Sequence, residues 1–303
     1  MADVVIPERL RSTSVAYIGD PARAWLLRLP EIVADLAAAW DLEVGPPYEP
    51  GGNFSWVAPV RRRTDDAALA LKVQLPDPES DPEALALTAW AGHGAVRLEA
   101  HDPDRCGLLL ERCEPGTPIG DEPDRAAALA EGVSLAVALH RVAPPAGVPE
   151  LATVMSPCAE RVADRRSLAP QVEDLLYDLA VDTLRSAGRA LRSVLLHGDL
   201  NPTNVLRSGR GWLAIDPKPM VGDPAYDGAR LILQTAPDEG PDPIVVIGER
   251  IRRTAGAFGV ESDRLARWCL AEIVRGGTLA TSTGDRTEGD RQLAILPWVV
   301  PWL

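Results

Sequence analysis

The chain has 303 residues, 46% of them apolar and 25% charged, which is long enough for two cores and ordinary for a globular protein. Lys plus Arg number 31 against 44 Asp plus Glu, a net charge of −13, and this argues against nucleic acid or an anionic membrane surface as a partner. The four cysteines are scattered without metal-ligand or redox spacing, MADVVIPERLRST lacks a signal-peptide core, and no run approaches the ~20 apolar residues that span a bilayer, so the cytoplasm is the expected location.

Residues 21–40 carry Trp25, Leu26, Leu29, Ile32, Val33, Leu36 and Trp40 at three- and four-residue steps, which predicts a helix that Pro30 should kink or divide. A turn-rich stretch then leads to a short strand around Trp56 and Val57. Residues 67–75, AALALKVQL, predict a second strand with Lys72 inside it. Asp81-Pro82 is a cap-and-first-position pair for a helix carrying Leu85, Leu87 and Trp90. AVRLEAHD and CGLLLERC predict two further strands. Residues 1–112 thus read as a helix, a small sheet and one helix packed on it, and CEPGTPIGDEP, 113–123, as a connector.

Beyond the connector the pattern is mostly helical. Residues 124–142 and roughly 160–190 read as helices. VLLHGDLNPTNVLRSGRGWLAID interrupts them, with Ser208-Gly209-Arg210-Gly211 as a hairpin signal between two apolar runs. Helices resume after Tyr226.

Within that interruption, His197, Asp199 and Asn204 follow a short apolar strand in the spacing H-x-D-x-x-x-x-N, and Asp216 ends the hairpin twelve residues past Asn204. This is a phosphoryl-transfer layout. A tight loop can put a carboxylate at an acceptor hydroxyl and an amide oxygen at a metal, and Asp216 supplies the second metal ligand. The alternative, that Asp199 and Asn204 merely cap turns, is weakened by the downstream Asp. Upstream, Lys72 sits mid-strand, where a solvated lysine would be out of place. Glu83 lies in the first turn of the next helix, where it either orients that lysine or serves the helix dipole. Gly51-Gly52-Asn53-Phe54-Ser55 lies where a phosphate-covering loop belongs, although it is not G-x-G-x-x-G. A Walker-type G-x-x-x-x-G-K-[ST] is absent from the sequence.

HGDLNPTNVL followed by WLAIDPKPMVGDPAYD resembles the aminoglycoside phosphotransferase superfamily, and within it the streptomycin 6-kinase and aminoglycoside/hydroxyurea resistance kinase branch. Asp-Pro-Lys-Pro at 216–219 is the most specific match. WLLRLP, GGNFSW, ALKV, EALALTAWAGHGAVRL and LLLERCEPGT extend the resemblance over roughly residues 20–275. It implies an α+β, bilobal, protein-kinase-like fold, with a nucleotide-binding lobe over 1–112 and a mostly helical catalytic and acceptor-binding lobe over 113–303. It implies ATP or GTP as donor, magnesium, and phosphorylation of a hydroxyl on a small molecule; a monomer is the expected state. Carried over by position, Asp199 matches the base, Asn204 and Asp216 the magnesium ligands, Lys72 the phosphate-gripping lysine and Glu83 its partner. Gly52, Asn53 and Ser55 match the loop over the nucleotide. Glu111 and Cys113 match the hinge whose backbone bonds adenine. Asn201 and Thr203 depart from the His and Gly of many relatives.

For the acceptor, an aminoglycoside such as streptomycin stands beside a metabolic or biosynthetic kinase for an amino sugar or other hydroxyl compound. A kinase-like protein without turnover conflicts with the intact Lys72, Asp199, Asn204 and Asp216. Asp223, Asp227, Asp238, Glu239, Asp242, Glu272, Asp285, Glu288 and Asp290 make the C-terminal half acidic in patches, which would favour a cationic acceptor, and Glu272 in RWCLAEIVRG is the carboxylate expected to face inward. Asp223 and Asp227 read as helix caps or loop braces, and His140 as a core residue.

Overall fold

The computed structural model describes residues 4–76, 81–235 and 242–303. The chain divides into two units, Met1–Gly116 and Thr117–Leu303.

The first unit opens with two helices, α1 (Glu8–Ile18) and α2 (Asp20–Ala39). Pro30 does not divide α2. It lies on the exposed side, and the helix runs through it from Asp20 to Ala39. The strands β1 (Leu42–Val44), β2 (Ser55–Arg62) and β3 (Ala67–Gln74), helix α3 (Asp81–Trp90), and strands β4 (Leu98–Asp102) and β5 (Gly107–Glu111) follow. The five strands form one antiparallel sheet in the order β1-β2-β3-β5-β4. The buried face of α2, including Trp25, Leu29 and Leu36, joins Leu10, Trp56, Leu71, Val73 and Leu109 in one core. Each large side chain there contributes roughly 1.5–3 kcal/mol by leaving water. β3 is central, and Leu71, Lys72 and Val73 are buried in succession, so both of its faces are covered.

The second unit begins where Thr117 accepts a hydrogen bond from the Arg207 amide at 2.8 Å. Its elements are α4 (Arg125–Leu139), α5 (Leu151–Asp164), α6 (Asp174–Arg185), β6 (Val194–Leu196), β7 (Val205–Ser208), β8 (Gly211–Ala214), β9 (Met220–Gly222), α7 (Ala225–Gln234), α8 (Pro243–Phe258), α9 (Ser262–Ser282), α10 (Arg286–Leu293) and α11 (Leu296–Val299). The Asp124 carboxylate caps α4. The helical reading of 160–190 resolves into the end of α5 and α6, separated by a short turn around Arg166–Leu168. β6 pairs with β9, and β7 with β8 through the expected two-residue turn. α9 is the central helix: Leu265, Trp268, Cys269, Leu270, Ile273 and Val274 are all buried, and it packs on α6, α7 and α10. Among the described residues no helix is long and apolar enough to cross a membrane.

Candidate active site

β6 is buried at all three positions, so the chain leaves it from inside the unit. His197 follows at 0% exposure. The Asp199 amide lies 3.3 Å from its Nδ1, and its Nε2 lies 3.0 Å from the Ile215 carbonyl. That pairing makes Nδ1 the acceptor and Nε2–H the donor, the neutral tautomer. Burial pushes the His197 pKa down against the upward pull of Asp227, Asp199 and Asp216.

Gly198 has φ +78°, and a Cβ there would stand 1.8 Å from the Lys218 carbonyl oxygen. Only glycine fits, because the Lys218 amide donates to the His197 carbonyl at 2.8 Å and draws the two segments together. A carboxylate from α7 then fixes the loop. Asp227 accepts from the amides of His197 and Gly198, each at 2.9 Å, and from His140 Nε2 at 2.9 Å. Burial alone would raise the Asp227 carboxyl, but these donors outweigh it and hold it below the usual range. Asp223 accepts from the Ala225 amide, Trp268 Nε1 and Arg264. Both carboxylates are braces, Asp223 just before α7 and Asp227 in its first turn.

Asn201 and Thr203 shape the next turn. Asn201 Oδ1 accepts from the Thr203 amide at 2.9 Å and its hydroxyl at 2.5 Å, an Asx turn that opens a single 3₁₀ turn over Pro202–Asn204. The turn brings Asn204 back to Asp199: its Nδ2 donates to the Asp199 carbonyl at 2.9 Å and lies 3.3 Å from Oδ2. The hairpin register pairs Val205 with Ala214, and the Ile215 amide donates to the Asn204 carbonyl at 2.9 Å. Asp216 is the next residue, held at φ +54°, in the left-handed region that Asp tolerates better than most residues. Asp199, Asn204 and Asp216 are thereby gathered at one end of the β7–β8 hairpin. Asn204 spends its nitrogen on Asp199, which leaves its amide oxygen; with the Asp216 carboxylate this is an all-oxygen donor set of the kind hard divalent cations take.

Two cations attend Asp199. Arg230 of α7 forms an ion pair with Oδ1, and Lys218 Nζ lies 4.0 Å from Oδ2. The Arg230 Nη1 reaches Glu272 Oε2 of α9 at 3.0 Å, and Glu272 also accepts from Arg275 at 2.8 and 2.6 Å. Burial raises the Glu272 carboxyl, but Arg275 and Arg230 outweigh it and the net shift is downward. Glu272 does face inward, but already neutralised. Of the other carboxylates of the acidic half, Asp242 and Asp285 cap helices, Glu288 pairs with Arg291, and the exposed Asp290 lies 4.0 Å from Arg286. Asp238 and Glu239 lie outside the described residues. Sequence reasoning did not single out Arg230. Its one signal was an arginine three residues past Asp227 in a helix otherwise buried on that face.

In the first unit, Lys72 on β3 and Glu83 on α3 meet at 2.6 Å, at 4% and 2% exposure. Gln74 also donates to Glu83 Oε2, at 2.7 Å. Gly52, Asn53 and Ser55 lie in the segment between β1 and the start of β2. A Cβ on Gly52 would press on Ser55 at 2.9 Å, and Asn53 Oδ1 accepts from Arg9 at 2.9 Å. Glu111 ends β5, where its Oε2 accepts from the Arg97 amide at 3.0 Å, and Cys113 is half-buried in the segment that follows.

An antiparallel sheet carrying a buried Lys–Glu pair, and a helical unit carrying the His-x-Asp loop, define a kinase-like phosphotransferase. The profile of the family described as aminoglycoside/hydroxyurea antibiotic resistance kinase matches residues 42–284, and the chain belongs to that family. It is 33% identical to a streptomycin 6-kinase of Streptomyces glaucescens over 90% of this chain and 89% of that protein. It is 32% identical to a hydroxyurea phosphotransferase of Kitasatospora aureofaciens, over 97% of this chain and 85% of that one. Among solved structures, a thermostable mutant of an aminoglycoside phosphotransferase, in ternary complex with AMP-PNP and hygromycin B, superposes with a TM-score of 0.60 at 13% identity, covering 90% of this chain and 98% of that chain. The fold is the α+β kinase-like fold, and the protein is a phosphotransferase acting on a hydroxyl group.

Proposed function

We propose that the chain transfers the γ-phosphoryl group of ATP to a hydroxyl of a streptomycin-type aminoglycoside, with Asp199 as the base. The observation that carries this reading is the gathering of Asp199, Asn204 and Asp216 at one hairpin end, supported by the streptomycin 6-kinase relative. Asp199 accepts the proton as the acceptor oxygen bonds to the γ-phosphorus. The bond to the β,γ-bridging oxygen breaks, ADP leaves, and the proton passes from Asp199 to solvent. Such general-base assistance is worth roughly 10²- to 10⁴-fold.

Asn204 and Asp216 would hold magnesium, which neutralises phosphate charge when bound. Lys72, oriented by Glu83, grips the phosphates. Gly52, Asn53 and Ser55 cover them, and the backbone at Glu111 and Cys113 receives the adenine. Nucleotide binding thus belongs to the N-terminal lobe and acceptor binding to the C-terminal lobe.

A second reading is a neutral acceptor, such as another small hydroxyl compound. It is favoured by one observation: Glu272, the inward carboxylate that a cationic acceptor would seek, is already paired with two arginines. The deciding experiment incubates the protein with ATP, magnesium and either streptomycin, an amino sugar or hydroxyurea, and reads ADP release and the phosphorylated product by mass spectrometry. ADP release with streptomycin and a phosphorylated drug are expected. Phosphorylation of hydroxyurea alone would replace the first reading with the second, and phosphorylation of the amino sugar alone would keep a cationic acceptor but replace streptomycin.

A further inference from the structure

Asp199 does not stand by itself on the floor of the second unit. It is the end of a chain of charges that runs Asp199–Arg230–Glu272–Arg275 and crosses from the loop to α7 and then to α9. Both interior members are largely buried: the side chains of Arg230 and Glu272 are 14% and 5% exposed. Among the described residues three cationic side chains, Arg230, Arg275 and Lys218, contact these two carboxylates. The Arg230 guanidinium is planar, and its two terminal nitrogens are divided between Asp199 and Glu272, so its orientation follows from where both carboxylates lie. Arg275 in turn holds Glu272 with two of its nitrogens. Among the described residues Arg230 Nε has no hydrogen-bond partner. An N–H left so costs about 1–3 kcal/mol; this guanidinium is placed to serve the two carboxylates and not to satisfy its own donors.

We infer that Arg230 is a positioning residue for the phosphotransferase, clamping the Asp199 carboxylate in one orientation, and that Glu272 is the buttress of that clamp and not a receptor for a cation on the acceptor. This rests on the assignment of Asp199 as the base. A base that must meet one hydroxyl within hydrogen-bond reach loses rate steeply when it is free to rotate; displacement by 1 Å can cost ~10²-fold. Asn204 and Asn201 reach Asp199 mainly through its backbone carbonyl, so the carboxylate itself is held chiefly by Arg230. Glu272 acts one step further away, through the guanidinium.

The two roles for Glu272 separate kinetically. Glu272→Gln keeps the shape and removes the charge. As a buttress it should lower kcat by about 10-fold or more while acceptor KM stays within about twofold, as expected of a supporting partner. As a cation receptor it would raise KM for streptomycin and leave kcat, and everything about hydroxyurea, unchanged. Arg230→Met should lower kcat by ~10²-fold at unchanged KM for ATP. Arg230→Lys, a point charge that can serve one carboxylate but not both, should fall between. In the double variant Arg230→Met with Glu272→Gln, the second change should add almost nothing, because its effect runs through the first. Thermal melting of each variant shows which ones fold, and if Arg230→Met does not, Arg230→Lys and Glu272→Gln carry the test. A Glu272→Gln enzyme with raised streptomycin KM and intact kcat overturns the inference alone, as does an additive double variant. A wild-type protein that phosphorylates neither acceptor overturns the functional reading, and the inference with it.

Discussion

Asp227 holds His197 from thirty residues away, with its Oδ2 2.9 Å from the His197 amide. The same oxygen accepts from His140, and the other oxygen accepts from Gly198. All three donors belong to segments distant in sequence from α7, so one carboxylate joins β6, α4 and α7.

Asp227→Asn should therefore cost more than a typical substitution. An amide can replace one oxygen, but its NH₂ group must then face one of three existing donors. Leaving a buried donor without an acceptor costs about 1–3 kcal/mol, and breaking a buried charged contact about 3–5 kcal/mol. A loss of unfolding free energy of that order, read as a lower denaturation midpoint at unchanged slope, is expected, with loss of turnover even where the variant folds. An unchanged midpoint would refute the brace.

Stability should fall as pH drops below about 6.5. Burial lowers the His197 pKa from its ordinary 6.5, so the unfolded chain takes up a proton there before the folded one does. Stability rises with pH wherever the unfolded state binds more protons, so this contribution is complete above 6.5 and is lost below it, by at most ~1.4 kcal/mol per pH unit. Asp227, whose folded value is depressed, contributes stability above its ordinary 3.8 and loses it only as pH falls further through its folded value. Melting temperature against pH should bend near 6.5. A flat curve from pH 7 down to the carboxylate range would contradict the neutral His197.

Asp199→Ala and Asp216→Asn should separate chemistry from nucleotide binding. The first should lose ~10²- to 10⁴-fold in turnover and still bind magnesium-ATP. The second keeps a residue type that tolerates its left-handed backbone but removes a charged ligand, and should lose magnesium-dependent ATP binding. Calorimetry with and without magnesium distinguishes them, and equal binding losses would sink the role assignment.

Gly198→Ala should disable the loop. Its methyl would meet the Lys218 carbonyl at 1.8 Å, at φ +78°. Either the His197–Lys218 contact opens, or the backbone rotates and Asp199 moves with it. Turnover should fall by ~10²-fold, as for a base displaced by about 1 Å. Activity within twofold of wild type would show that the close approach does not matter.

The site was legible in the sequence to the extent that it is local. His197, Asp199 and Asn204 lie within eight residues, and Ser208-Gly209-Arg210-Gly211 signals the hairpin that returns Asp216 to them. Turn chemistry and spacing act over such distances, so they leave a readable pattern. Lys72 and Glu83 were legible for a related reason, because a lysine inside an apolar strand requires a partner nearby. Pro30 misled because whether a proline breaks a helix depends on which side faces water, and that is a property of the packed unit. What the carboxylates do was decided only in three dimensions. Asp199 meets Arg230 across 31 positions and Arg230 meets Glu272 across 42, through the packing of α7 on α9. The sequence counted Glu272 as negative charge available to a ligand; the tertiary structure set it between two arginines, because a carboxylate carried into a helical core is stable only where opposite charge is packed against it.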